Sequence, residues 1–456
     1  MTDQAQVHGW ILEGRVVDGT GAEPIEDGAV AILDERITWV GRSAEIPADL
    51  AALPLRRFAE PGRTILPGLV DAHTHISFCE ATSEEENALY TPVEYRSILS
   101  AWSAKKMLRA GVTSASDAAS TYNIAVAVRD AVEAGIVEGP RFSAAGPQLT
   151  THQGLEDAFP SWVEFPRGQA GVLVRNRDEI LEAIRLQVKN RVDVIKVSGS
   201  MDSAVSDDPM GGMAFRQEEF DLIADETHRL GKKCTVHART AASVLACARA
   251  GFDWLMHGSY MDDAGLDAVL ERNIPIVPVL TLLVNILEAG EGDVGASGLD
   301  VFKREVDAAA ENLSRAFRQG VTLICGSETG WSLVPFGEWH AKEMQIFVDY
   351  LGFTPVQAIH AATGAAAVTL PRWADEIGTL EAGRRADVIV LDGDPIRDIQ
   401  LLQRKSRFDL VIKDGVAVDL QSPIPERRRY SFEKNKIYLP GRYLFDEGTG
   451  HGVVVP

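Results

Sequence analysis

Short apolar runs that alternate with longer helical stretches, and that end one after another in a side chain able to bind a metal, constrain this chain more than any other feature. Val192-Asp193-Val194-Ile195-Lys196, Lys233-Cys234-Thr235-Val236-His237 and Phe252-Asp253-Trp254-Leu255-Met256-His257 are such runs. Each follows a helical stretch, Asp178 to Lys189, Glu218 to Leu230 and Ala241 to Ala250. A fourth run, Val321-Thr322-Leu323-Ile324-Cys325, leads into Gly326-Ser327-Glu328-Thr329-Gly330, which puts an acid just past a strand end. Alternating strand and helix implies parallel strands joined by crossovers, and eight such units close into a barrel. Barrel active sites gather at the C-terminal strand ends, where these residues stand.

The first strand of the series is Leu66-Pro67-Gly68-Leu69-Val70-Asp71-Ala72-His73-Thr74-His75, an apolar run ending in His-x-His. Side chains at i and i+2 of a strand face the same way, so His73 and His75 can reach one ion. Singly, His237 and His257 read equally well as hydrogen-bonded core histidines; at consecutive strand ends they read as ligands. Asp71 either orients the cluster or caps a turn. Lys196 ends an apolar strand, where an unpaired ammonium is costly. It has therefore lowered its pKa, found an acid such as Glu328 or Asp117, or been modified.

The order His-x-His, Lys, His, His and a terminal acid resembles the amidohydrolase superfamily of metal-dependent hydrolases, over nearly the whole chain. Gly14-Arg15-Val16-Val17-Asp18-Gly19, followed by Ile37-Thr38-Trp39-Val40-Gly41, is similar to the family's N-terminal strands. The stretch from Gly378 to Asp392 is similar to the C-terminal segment that completes the same small β-sandwich. Lys196-Val197-Ser198-Gly199-Ser200 and His257-Gly258 with Tyr260 resemble the branch of imidazolonepropionases and prolidase-like dipeptidases, with molinate (carbamate) and phenylurea hydrolases as neighbours. The expected fold is thus α/β, a (β/α)8 TIM-like barrel over 66–371 with a composite β-sandwich from 1–65 and 372–456, the latter including the C-terminal tail.

The resemblance implies one or two divalent ions, zinc in first place and manganese or cobalt as alternatives, held by His73, His75, Lys196, His237, His257 and Glu328. It also implies a Lys196 carboxylated by carbon dioxide, bridging two ions. Glu328 departs from the family, which presents Asp there as ligand and proton shuttle. One extra methylene moves a carboxylate by about 1.5 Å, against a tolerance of about 0.5 Å for a catalytic constellation. Either the backbone compensates or the metal count changes, down to a mononuclear site in which Glu328 binds no metal. Glu328 is read here as general base and ligand, with Lys196 as the second catalytic group.

A divalent ion lowers the pKa of its water toward about 7 and polarises a carbonyl, so hydroxide attack on an amide, carbamate or urea carbon follows. The expected enzyme is a metal-dependent hydrolase of a C–N bond. A dipeptidase or N-acyl amino acid hydrolase of prolidase type is the alternative. Lys196 argues against a deaminase, and the intact ligand set against a non-catalytic barrel. For substrate contacts, His152 in Gln148-Leu149-Thr150-Thr151-His152-Gln153-Gly154 is a donor to a substrate oxygen or a solvated loop histidine. Tyr260 bonds a carbonyl or packs, and Arg239 binds a carboxylate or pairs with an acid. Trp331, with Phe336 and Trp339, forms an apolar pocket wall or core. Ser203 to Gly212 reads as a loop over the mouth.

A chain of 456 residues suits a barrel of about 250 to 300 residues plus an accessory unit. No apolar run approaches the roughly 20 residues that span a bilayer, and Met1 to His8 lacks a secretory leader. Cys79, Cys234, Cys247 and Cys325 show no paired spacing and read as reduced core cysteines, so a cytoplasmic location is expected. A net charge of −21 argues against nucleic acid and anionic membrane as partners. The expected partners are a small-molecule substrate and further copies of the chain, a homo-oligomer in which the charged, Gly- and Pro-containing tail after Gln421 wraps the surface or a neighbour.

Overall fold

The computed structural model describes residues 8–201, 212–290, 295–427 and 442–455. The loop expected over the mouth lies outside them except for Gly212. Strands from both ends of the chain share one sheet. β1 (Gly9–Val16), β2 (Ile25–Leu33), β3 (Arg36–Arg42), β4 (Arg56–Phe58) and β5 (Arg63–Pro67) supply one side, with the short α1 (Ala48–Ala51) between β3 and β4.

From β5 the chain passes through Gly68 into β6 (Leu69–Thr74), β7 (Val112–Asp117), β8 (Arg141–Ser143), β9 (Gln148–Thr150) and β10 (Gly171–Leu173). Then come β11 (Val194–Ser198), β12 (Lys233–Ala238), β13 (Trp254–His257) and β14 (Ile276–Val277). Between them run α2 (Val93–Arg109), α3 (Ile124–Glu133), α4 (Arg177–Lys189), α5 (Gln217–Arg229) and α6 (Ala241–Ala250). α7 (Asp263–Arg272), α8 (Thr281–Ala289), α9 (Gly295–Arg318), α10 (Lys342–Leu351) and α11 (Pro355–Ala361) follow. The three helical stretches expected from sequence are α4, α5 and α6, and each is followed by its strand.

The chain then returns with β15 (Val388–Asp392), β16 (Phe408–Lys413) and β17 (Val416–Ala417), which extend the first sheet in the order β17-β16-β15-β5-β1-β2-β3, with β4 on β1. Antiparallel pairing of β15 with β5 joins the two ends of the chain. The β16–β17 turn has positive φ at Asp414 and Gly415, as a two-residue hairpin requires. A last hairpin pairs β18 (Arg442–Asp446) with β19 (His451–Val455).

The strands that carry the site are parallel: β6-β7-β8 in one sheet and β10-β9-β11-β12-β13-β14 in another. Isolated parallel bridges connect Ala145 with Val194, Ile276 with Leu323, and Thr74 with Thr329. A core of Val70, Ala72, Val194, Trp254, Met256, Val277 and Ile324 is packed against Ala366, Ala367 and Leu370. Outward-facing Ile195, Val197, Cys234 and Val236 join the larger core that includes helix residues such as Phe220 and Val244. All four cysteines are free and buried, as expected. Among the described residues no helix is long and apolar enough to cross a membrane.

Candidate metal centre

Parallel pairing brings the strand ends into register. Ser198 lies beside His237 and Ala238 beside His257. His73 and His75 come from the end of β6, where backbone bonds tie the strand to the loop after Cys325. Glu328 N donates to His73 O at 3.0 Å, and His75 N to Thr329 O at 2.7 Å. Gly326 and Gly330 permit this approach. A Cβ on Gly326 would lie 2.7 Å from His73 Cβ, and one on Gly330 would lie 2.8 Å from His75 O.

The chemistry of the cluster follows from where its protons can be. His75 Nδ1 sits 3.2 Å from the carbonyl of Ala119, an acceptor that fixes the ring proton on Nδ1. Its Nε2 is then a lone pair, aimed at His73 Nε2 at 3.0 Å and Glu328 Oε1 at 2.9 Å. Glu328 Oε2 stands 3.3 Å from His73 Nε2. Two imidazoles and a carboxylate cannot all be satisfied by one another at this spacing; a shared cation resolves it. His73, His257 and Glu328 offer ligand atoms that lie mutually within 4.8 Å. The His257 ring lies 4.4 Å from that of His237 and 5.6 Å from that of His73. His237 Nε2 and both nitrogens of His257 are buried without a hydrogen-bond partner among the described residues. Such orphaned nitrogens fit a bound divalent ion.

Protonation agrees with ligand duty. Burial lowers His73 to about 4 against the pull of Glu328. Burial, then Arg239, holds His237 and His257 well below the ordinary imidazole value. Burial alone would raise the Glu328 carboxyl, but His73 and His75 outweigh it and keep the group well below the carboxylate range. Burial lowers Lys196 to about 8, with Glu328, Glu156 and Asp117 opposing. Lys196 Nζ meets Met256 Sδ at 2.6 Å and has no carboxylate in ion-pair contact among the described residues. Pairing with Glu328 or Asp117 is therefore not its fate here. Asp117 accepts from Ile76 N at 2.8 Å through one oxygen, while its other oxygen is buried and unpartnered among the described residues.

Glu328 reaches the cluster from a left-handed backbone, φ 61°; His257 is left-handed too, φ 74°. Such conformations cost about 1 to 3 kcal/mol each and concentrate at functional sites. Asp71 sets the loop. It accepts from His73 N (3.1 Å), Ser327 N (3.0 Å), Ser327 Oγ (2.5 Å) and His340 Nδ1 (2.6 Å). Gly337 N donates to His340 Nε2 at 3.0 Å, which leaves the ring proton on Nδ1 for Asp71. Sequence reasoning missed His340 and Ser327, since nothing in their spacing announces that they meet Asp71.

The remaining candidates divide. Arg239 and Trp331 line the cavity in front of the cluster, together with Phe78, Glu84, Glu156 and Ile286. Trp331 packs on Phe78, which stacks on the His75 ring. Arg239 is paired with buried Glu305, whose Oε1 also accepts from Ser259 Oγ at 2.8 Å. His152 is not part of this cavity: its side chain is 66 % exposed and 3.2 Å from Asp157, so the solvated-loop alternative describes it. Tyr260 also lies off the cavity lining, with its backbone N–H on Arg239 O. Phe336 and Trp339 are core, and Trp339 donates to Tyr443 O at 2.7 Å.

Residues 64–418 match the family model described as the amidohydrolase family. Ochratoxinase of Aspergillus niger is 29% identical over 91% of this chain and 87% of its own. Its crystal structure superimposes with a TM-score of 0.81 at 27% identity, covering 90% of this chain and 96% of that one. Imidazolonepropionase of Streptomyces griseus is 25% identical over 82% of this chain and 88% of its own. A putative prolidase structure from Bifidobacterium longum gives a TM-score of 0.75 at 26% identity, over 92% and 97% of the two chains. Molinate hydrolase, at 21% identity and a TM-score of 0.78 over 93% and 99%, shares the fold.

Proposed function

The chain belongs to the amidohydrolase family and hydrolyses carbon–nitrogen bonds, and from that premise we propose a metal-dependent enzyme that splits an amide, carbamate or urea linkage of a small molecule. The observation that carries this reading is the convergence of His73 Nε2, His75 Nε2 and the Glu328 carboxylate within 3.3 Å, beside the unpartnered nitrogens of His237 and His257. These five residues would hold one or two divalent ions, zinc first. When bound, such an ion lowers the pKa of a water toward about 7 and polarises a carbonyl. Glu328, ionised, takes the proton of the attacking water on a carboxylate oxygen and delivers it to the departing nitrogen, which then leaves as a neutral amine. Phe78, Trp331 and Ile286 keep the cavity wall apolar.

Lys196 would join the ligands as a carbamate. Its neutral amine attacks carbon dioxide, forms the N–C bond and releases one proton. A buried amine lowered to about 8 supplies the neutral form far more readily than a free lysine. The fold supporting this site is read as a closed eight-stranded barrel, on the strength of the parallel bridges at Ala145, Ile276 and Thr74. The shared terminal sheet is read as the accessory unit.

A second reading of the substrate rests on Arg239. A guanidinium on the cavity wall, held there by Glu305 through one of its nitrogens, together with relatives that include a putative prolidase, favours an amide whose leaving amine bears a carboxylate, as in a dipeptide or N-acyl amino acid. The deciding experiment counts ions in protein purified without chelator, then assays N-acyl amino acids, dipeptides, carbamates and phenylureas before and after metal removal. Amine release that disappears with the metal and returns with zinc, manganese or cobalt is expected. Undiminished cleavage by stripped protein overturns the proposal.

A further inference from the structure

We propose that the opposite end of the same strands carries a second metal site, in which His228, Cys234 and Asp253 bind a zinc-class divalent cation with a fourth position open to solvent. The three come from separate elements that the fold brings together. His228 is in the last turn of α5, Cys234 is the second residue of β12, and Asp253 precedes β13. Cys234 N donates to Asp253 Oδ2 at 2.8 Å, and Asp253 N to Cys234 O at 3.0 Å, so the two strand starts are locked side by side.

The donor set, one imidazole, one thiol and one carboxylate, suits a tetrahedral site. With metal–nitrogen and metal–oxygen bonds of about 2.0 Å and metal–sulfur of about 2.3 Å, tetrahedral angles put ligand atoms roughly 3.3 to 3.6 Å apart. His228 Nε2 is 2.8 Å from Asp253 Oδ2 and 3.8 Å from Cys234 Sγ, and one donor atom from each residue lies within 4.8 Å of the other two. The two distances to His228 Nε2 thus bracket the tetrahedral spacing, and a small rotation of the exposed imidazole adjusts both. His228 is 41% exposed, which leaves a route for the ion and room for a water.

Lys233 Nζ, 2.7 Å from Asp253 Oδ1 and half exposed, sets a positive charge on the other oxygen of this carboxylate. It can swing into solvent when an ion arrives. Burial and Asp253 keep the Cys234 thiol well above its usual range, so binding forms the metal–sulfur bond as the S–H bond breaks and one proton passes to solvent. Cys234 stands three residues before His237 on β12, roughly 10 Å from the catalytic end at about 3.3 Å per residue. An ion there clips α5 to the starts of β12 and β13 without touching substrate.

Cobalt(II) is the probe. A thiolate bound to cobalt absorbs in the near ultraviolet, and the catalytic cluster presents only nitrogen and oxygen, so the band reports this site alone. Wild-type protein should show the band and bind one more equivalent of cobalt or zinc than either Cys234→Ser or His228→Ala. Lys233→Met should bind severalfold more tightly. His228→Ala alters an exposed side chain, so it serves if Cys234→Ser folds poorly, and its turnover should stay within about twofold of wild type. Absence of the band in wild type, its survival in Cys234→Ser, or equal ion counts in wild type and His228→Ala would each overturn the proposal and leave the trio a surface ion-pair network.

Discussion

Replacing Glu328 with aspartate, the acid that the resemblance leads one to expect there, should disable this enzyme, not improve it. The left-handed backbone at Glu328 and the glycines on either side of it position a four-atom reach. Glu328→Asp withdraws the carboxylate by about 1.5 Å. The contact with His75 Nε2, now 2.9 Å, then opens to roughly 4 Å, a retreat well beyond the tolerance of about 0.5 Å for a catalytic constellation. A positioned general base contributes about 10² to 10⁴ in rate, so kcat should fall by at least a hundredfold. Glu328→Gln separates reach from basicity. It keeps the length, loses the base, and should fall by a similar factor with KM nearly unchanged. Steady-state kinetics on the best substrate of the panel, with ions counted for each variant, give the answer. An Asp variant within about threefold of wild type, with its ion content unchanged, would refute the claim that the backbone at 328 is adapted to a glutamate.

Other consequences can be measured. In metal-free protein, Lys196 has a folded pKa of about 8, below its unfolded value of about 10.4. The folded state thus binds fewer protons across that interval, and stability should rise with pH between about 8 and 10.4, by roughly 3 kcal/mol at most. Lys196→Met should lack that increment in denaturant titrations while abolishing turnover; an identical pH slope in both proteins contradicts it. Asp71→Asn turns a charged acceptor of four hydrogen bonds into one whose amide faces donors, so unfolding free energy should drop by about 3 kcal/mol. Its kcat should suffer more than KM as the 327–328 loop shifts, and kinetics matching wild type would remove Asp71 from the positioning role. Gly330→Ala forces a side chain into φ 148° and to 2.8 Å from His75 O. A loss of about 2 kcal/mol or more is expected from calorimetry, together with weakened metal retention.

The site was legible to the extent that it is written in strand periodicity. Lys196, His237 and His257 each close a short apolar run, and pairing of neighbouring parallel strands carries them to one place with little further information. The cysteines were legible for a similar reason, since an apolar context and unpaired spacing suffice for burial. The loops were not. His152 and Tyr260 stand in segments whose direction depends on packing elsewhere, and His152 turns to Asp157 in solvent. Trp331, Phe336 and Trp339 look alike in sequence, yet only Trp331 lines the cavity, because Tyr443 from the far C-terminal hairpin captures Trp339.

From sequence alone come the residue types, their places at strand ends, the parallel α/β order and the family, because these depend on local alternation and on pairing between adjacent units. Tertiary structure alone decided that Asp71 gathers Ser327 and His340, that Arg239 is engaged by Glu305, and that Glu328 meets the His73 and His75 rings from a left-handed backbone. Each of those outcomes depends on groups between 66 and 269 residues apart in the chain, or on one backbone angle held by such contacts. No periodicity encodes a meeting at that range; it is settled when the loops pack against the completed strands.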